Sequence, residues 1–179
     1  KTFGGRRMTM TKLQPDNIRG FTLPEMMIVL CIMGVMTLIA VPAFMSLLPE
    51  MRLNSSARQV FMAMARARQG AVSQNANACI KFSTTDNSIR AWLDNGPGGA
   101  RGNYAKDASE PYIFEGFLDD GVIIAFRYPG DTAAFNARGL PVGGGDYLGN
   151  YLSYILYLQN SQNKYKGIKI SPIGAITIL

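Results

Sequence analysis

From Met26 to Leu48 the chain carries no charged side chain. The run is 23 residues long and is built mainly of Met, Ile, Val, Leu, Ala and Phe. As a helix rising about 1.5 Å per residue, it reaches across the hydrocarbon of a bilayer with some tilt. A helix buried in a soluble protein can also be apolar all round, but seldom over this length. A membrane span is therefore the expectation, and the remaining elements have to be arranged around it.

The flanks give the span a direction. Residues 1–20 hold Lys1, Arg6, Arg7, Lys12 and Arg19 against Asp16, a balance of +4 out of a net charge of +6 for the whole chain. Basic residues ahead of a first span keep that end in the cytoplasm. The rest of the chain is then expected outside the inner membrane, in the periplasm where the cell has two membranes. The chain does not begin with Met, so further residues are expected ahead of Lys1. Beyond residue 50 the charges are spread thinly. They form no dense basic stripe with interleaved aromatics of the kind that tracks nucleic acid.

Past the span the helical pattern continues, now amphipathic. Leu53, Ala57, Val60, Met64, Ala67 and Ala71 recur at spacings of four and three, while Arg52, Arg58, Arg66 and Arg68 lie off that stripe. One helix is expected from about Thr22 to about Gln74. Its second half needs a surface to pack on, and the remainder of the chain has to supply it. That remainder changes period. Ala78–Phe82, Ser88–Leu93, Val122–Phe126, Leu152–Leu158, Gly167–Ser171 and Ala175–Leu179 are short and rich in Ile, Tyr, Phe and Val. Gly, Asn, Asp and Pro separate them, so they read as strands joined by turns. Pro172-Ile173-Gly174 makes a hairpin of the last two. Asn95–Asp107 and Gly143-Gly144-Gly145 read as loops. The expected fold is α+β, a long N-terminal helix with an antiparallel sheet packed on its amphipathic half. The organisation divides into residues 1–20 as leader, 21–48 as membrane half-helix, 49–75 as amphipathic half-helix and 76–179 as a β-rich head.

Catalysis finds little support. The chain has no His, so the commonest general base and metal ligand is missing. Of the two cysteines, Cys31 lies inside the apolar run and Cys79 far outside it. They are not expected to pair, and both read as small apolar residues. Asp119-Asp120 are adjacent, so their side chains should diverge, and Gly121 favours a turn. The run from Gly96 to Gly102 lacks the strand–helix context of a phosphate loop. The expectation is a protein that is not an enzyme and needs no metal or cofactor.

The junction between leader and span reads Gly20-Phe21-Thr22-Leu23-Pro24-Glu25. A Gly ahead of a scissile bond lets the backbone lie extended in a protease cleft. Pro24 falls in the first turn, where its missing N–H costs little. Glu25 stands at the edge of the apolar run. Carrying a carboxylate into hydrocarbon costs about 2.5–3.5 kcal/mol on insertion scales, so it calls for a partner. The alternative is a carboxylate resting unpaired in the headgroup layer. Pro42 removes a helical hydrogen bond and should kink the helix, and Gly34 is a second weak point. A secretory signal peptide cut near Val41-Pro42-Ala43 is the competing reading of this end. Glu25 and the unbroken amphipathic continuation argue against it.

With the basic leader and the apolar run, this junction resembles the type IV prepilin cleavage and methylation motif. The head adds a single Trp92, the stretch Phe135-Asn136-Ala137-Arg138-Gly139-Leu140-Pro141, and a closing segment from Ile168 to Ile178. Together these look like the GspH/FimT family of minor pilins and type II secretion pseudopilins. The resemblance implies a membrane-embedded prepilin peptidase that cuts after Gly20 and methylates the new N-terminus on Phe21. It implies that Glu25 meets the N-terminal ammonium of a neighbouring subunit, setting register in assembly. It implies that the segment between Gly34 and Pro42 loosens in the fibre. The subunit would sit at or near the tip of a type IV pilus or a type II secretion pseudopilus, among other pilin or pseudopilin subunits. A second function is a tip-located binding module for DNA, a secreted substrate or a surface. Relatives that bind DNA carry a basic C-terminal cluster. Here only Lys164, Lys166 and Lys169 lie near the end, which departs from that version.

Overall fold

The computed structural model describes residues 20–96, 102, 104–128, 131–142 and 154–179, with backbone alone over 126–128. The leader at 1–19, the Gly143–Gly145 loop, and residues 152–153 of the expected strand lie outside the described residues. So does most of the glycine-rich run between Gly96 and Gly102. Two compact units form, residues 1–42 and 43–179. In the first, the described part is helix from Leu23 onward, and every residue from Gly20 to Pro42 is exposed.

The helix α1 spans Leu23–Gln74 and contributes its last 32 residues to the second unit. The expected stripe is buried: Leu53, Ala57, Val60, Met64, Ala67 and Ala71, joined by Ser56 and Ala63. Four of these are Ala, which lets sheet backbone approach closely. Arg52, Arg58 and Arg66 are exposed and Arg68 is half-buried. Arg66 places its guanidinium 5.5 Å from the Phe114 ring centroid. The helix ends in a Schellman cap: Asn75 turns left-handed at φ 48°, Ala76 N–H donates to Ala71 O and Asn75 N–H to Val72 O.

Nine strands follow in the described residues. They are β1 Asn77–Phe82, β2 Ser88–Asp94, β3 Tyr112–Phe117, β4 Val122–Tyr128, β5 Thr132–Phe135, β6 Pro141–Val142, β7 Tyr154–Asn160, β8 Tyr165–Ile170 and β9 Ile176–Ile178. They make two antiparallel sheets, ordered β3-β2-β1-β5-β6 and β4-β7-β8-β9, where one sheet was expected. Alternation along a strand tells which side chains face inward, but not which strand lies alongside. The split falls at the Asp119–Gly121 turn, after which β4 pairs with β7 instead of continuing from β3. The strands β3, β5 and β6 escape a reading based on apolar content. β3 carries Glu115 and Gly116, β5 has four residues, and β6 has two.

One core joins helix and sheets. Ala78, Ile80, Phe82, Ile89, Ala91, Leu93, Ala133 and Phe135 from the first sheet meet the helix stripe. Val122, Ile124, Tyr154, Leu156, Leu158, Ile168 and Ile170 come from the second. Phe82 and Tyr154 stack across the two sheets with centroids 5.7 Å apart. On its other face the first sheet buries a small cluster of Cys79, Trp92 and Ala134, with Tyr104 and Val142 packed on it. Trp92 is a residue of β2 itself, as the expected strand Ser88–Leu93 has it.

Candidate functional site

The start of α1 is assembled by its own sequence. Thr22 O accepts from Glu25 N–H at 3.1 Å and Met26 N–H at 3.2 Å. The Glu25 carboxylate reaches back to Thr22 N–H at 3.5 Å. This is the glutamate half of a capping box, Thr-x-x-Glu, at the long end of hydrogen-bond range. The signal for it is the spacing Thr22-Leu23-Pro24-Glu25. Pro24 stands in this first turn, where no N–H is needed. Among the described residues Glu25 has no cationic partner.

Gly20 and Phe21 stand just ahead of the helix. A Cβ built on Gly20 would meet nothing within 4 Å, and Phe21 is 73% exposed. The fold therefore makes no use of a glycine at position 20. Gly34 likewise has open space around a built Cβ. Thr37 Oγ donates to both Met33 O at 2.8 Å and Gly34 O at 2.9 Å. Helical assignment continues through Gly34 and Pro42.

In the second unit, the two motifs singled out in the head come together. Asn136 anchors the β5–β6 turn: its side-chain oxygen accepts from Arg138 N–H at 2.9 Å and Leu140 N–H at 3.0 Å. Gly139 completes that turn at φ +73°. The β8–β9 turn closes with Ser171 N–H donating to Ala175 O, and with Gly174 at φ +80°. A Cβ on Gly174 would stand 2.3 Å from Gly139 O. Arg68 Nε donates to the same carbonyl at 3.0 Å. So the Phe135–Pro141 stretch and the C-terminal hairpin touch at one point, and an arginine from α1 pins it. The glycines are required by turn geometry and by this close approach.

The other sequence candidates resolve plainly. Asp119 and the Asp120 backbone have different partners on α1. Asp119 N–H donates to Ser56 Oγ and the Asp119 carboxylate accepts from it, while Asp120 O accepts from Arg52. Both cysteines are free. Burial pushes the Cys79 thiol far up, with the Asp94 and Glu110 carboxylates adding to it, so it stays protonated. Among the described residues no group of His, Cys, Asp or Glu could hold a metal.

These features define a class. A long N-terminal helix that begins at an exposed Gly–Phe junction and packs its second half on antiparallel sheets is a pilin-like fold. Residues 16–41 match the family model described as the prokaryotic N-terminal methylation motif. Among solved structures, the chain is similar to the type IV minor pilin FimU of Pseudomonas aeruginosa. In one crystal form the TM-score is 0.53 at 16% identity, covering 71% of this chain and 87% of that one. In another the TM-score is 0.52 at 14% identity, covering 71% and 92%. It is also similar to the minor pseudopilin EpsH from the type 2 secretion system of Vibrio cholerae. There the TM-score is 0.51 at 8% identity, covering 72% and 96%. Among curated proteins none matches the chain.

Proposed function

We propose that this protein is a minor pilin or pseudopilin, anchored in the bacterial inner membrane by residues 21–48 with its head in the periplasm. It would be built into a type IV pilus or a type II secretion pseudopilus at or near the tip. Prepilin peptidase removes the leader by cutting after Gly20 and methylates Phe21, and Glu25 then pairs with the N-terminal ammonium of a neighbouring subunit. The observation that carries this is the Gly20–Glu25 junction. It matches a methylation motif, stands exposed, and contains a glycine that the fold itself does not need. A glycine demanded by nothing among the described residues points to an external demand, and a protease cleft supplies one. The exposed apolar side chains that follow, Leu30, Leu38 and Phe44 among them, need a bilayer or neighbouring helices to cover them. Gly34 and Pro42 are the places where this helix loosens on leaving the bilayer for the fibre.

A DNA-binding role at the C-terminal lysines has little support. Lys164 donates to the Glu50 carboxylate at 2.6 Å, and Lys166 bonds the Asn54 side chain. Both already have partners on α1. The capping bond of Glu25 is long, so its loss should cost little in the folded subunit, whereas an unpaired ammonium between subunits is expensive. Mass spectrometry of the membrane-extracted protein should find a chain beginning at N-methyl-Phe21. Glu25→Val should still be inserted and cleaved, yet be largely missing from fibres and from co-purified pilin-like subunits. Glu25→Asp should fall between. A mature terminus at Phe44, or normal assembly of Glu25→Val, would overturn the proposal.

A further inference from the structure

The outer face of the first sheet holds a cavity of about 460 Å³ that the fibre reading leaves unused. Its walls include Lys81, Arg90, Trp92, Tyr104, Lys106 and Tyr112. Trp92 is 3% exposed, and its Nε1–H finds no acceptor among the described residues. A buried donor without a partner is uncommon, because desolvating it goes uncompensated. Lys81, exposed on the same face, has no carboxylate within ion-pair distance among the described residues. Lys106 lies 4.8 Å from the Tyr112 ring centroid and gives one bond to Asp107 O. Tyr112 is 48% exposed at the sheet edge.

We propose that this cavity binds a small carboxylate-bearing ring, the chemistry of an acidic sugar residue. The carboxylate is received by Lys81 and Lys106, the flat face of the ring lies on Tyr112, and the buried Trp92 indole forms part of the wall beside them. The volume is that of a site for a small molecule. Charge favours a monoanion over a polyanion. Arg90, in the cavity wall, is already held by Glu115 at 2.9 Å and Asp86 at 3.1 Å, so its charge is largely answered. A nucleic-acid backbone needs several free cations in a row, and Arg90 is not free. The inference is independent of how the chain assembles.

Trp92 is the chain's single Trp, so its indole N–H gives one NMR signal and its fluorescence one reporter. The full-length protein in detergent micelles should be titrated with sodium galacturonate, galactose, inorganic phosphate and a single-stranded oligonucleotide. Galacturonate should shift the indole signal saturably, and galactose should not. Lys81→Gln should weaken galacturonate binding about tenfold, as loss of a charged hydrogen bond does. Tyr112→Ala should erase the preference for galacturonate over phosphate, and Lys169→Gln on the other sheet should change nothing. No indole shift with galacturonate, or an equal shift with galactose or with phosphate, overturns the proposal. A response to the oligonucleotide alone overturns it in favour of a nucleic-acid site.

Discussion

Gly121 and Gly174 share a φ of +80° but differ in what surrounds them. A Cβ on Gly121 meets open space, whereas one on Gly174 runs into Gly139 O and lies 3.3 Å from Arg68 Nε. Gly121→Ala should therefore cost about 1 kcal/mol, the conformational term alone. Gly174→Ala should cost clearly more, because a backbone carbonyl cannot step aside cheaply. Urea unfolding followed by Trp92 fluorescence compares the two, and equal losses would mean that the two turns do not touch. Ser56 is the polar residue hidden in the helix stripe. Its hydroxyl both accepts from Asp119 N–H and donates to the Asp119 carboxylate. Ser56→Ala should lose about 1–3 kcal/mol in the same assay, since it strands partly buried groups on Asp119. At this scale the sequence marked Gly139 and Gly174 as turn residues, but not that one turn rests on the other.

Among the elements, α1 was the most legible, because a period of 3.6 sustained over many turns fixes a face. Met64 is fully buried and Met62, two residues away, is 47% exposed. Met64→Asp should abolish the cooperative unfolding of the head, while Met62→Asp should change its stability by no more than about 0.5 kcal/mol. Similar effects for both would mean that the stripe does not face the sheets. The β1–β2 connection makes a pH prediction. The Ser83 and Ser88 hydroxyls hold the Asp86 carboxyl well below its usual range, with Ser88 N–H and Arg90 adding to this. A carboxyl lowered in the folded state contributes fully above its unfolded value, about 3.9, and loses that contribution as pH falls beneath it. Asp86→Asn should lower the urea midpoint at pH 7 and flatten its decline between pH 4 and pH 2, relative to the unmodified chain (about the range set by that unfolded value). A parallel decline in both proteins would show that other carboxyls govern acid unfolding.

For the whole molecule, residues 43–179 form a unit with its own core, and side-chain contacts to α1 begin at Ser46 and Glu50. A chain beginning at Ala43 should be soluble and monomeric by size-exclusion chromatography, and should unfold at the same urea concentration as the head of the full-length protein. A clearly lower midpoint would mean that the apolar half-helix is part of the folding unit. The Lys164–Glu50 pair adds little to this, as an exposed ion pair usually does.

The sequence by itself determined the apolar run, the junction ahead of it, the amphipathic stripe and the strand-rich remainder. Each depends on local periodicity or on residues within a few positions of one another, so physics at short range is enough. The tertiary structure alone decided the partition into two sheets and the pairing of β4 with β7, because pairing joins residues far apart in the chain. It alone brought the two glycine turns together beneath Arg68. It also placed Lys81, Lys106, Tyr112 and a buried indole N–H around one cavity, drawing on β1, β2, β3 and the segment before β3. No spacing rule within a single segment encodes a site shared among that many strands.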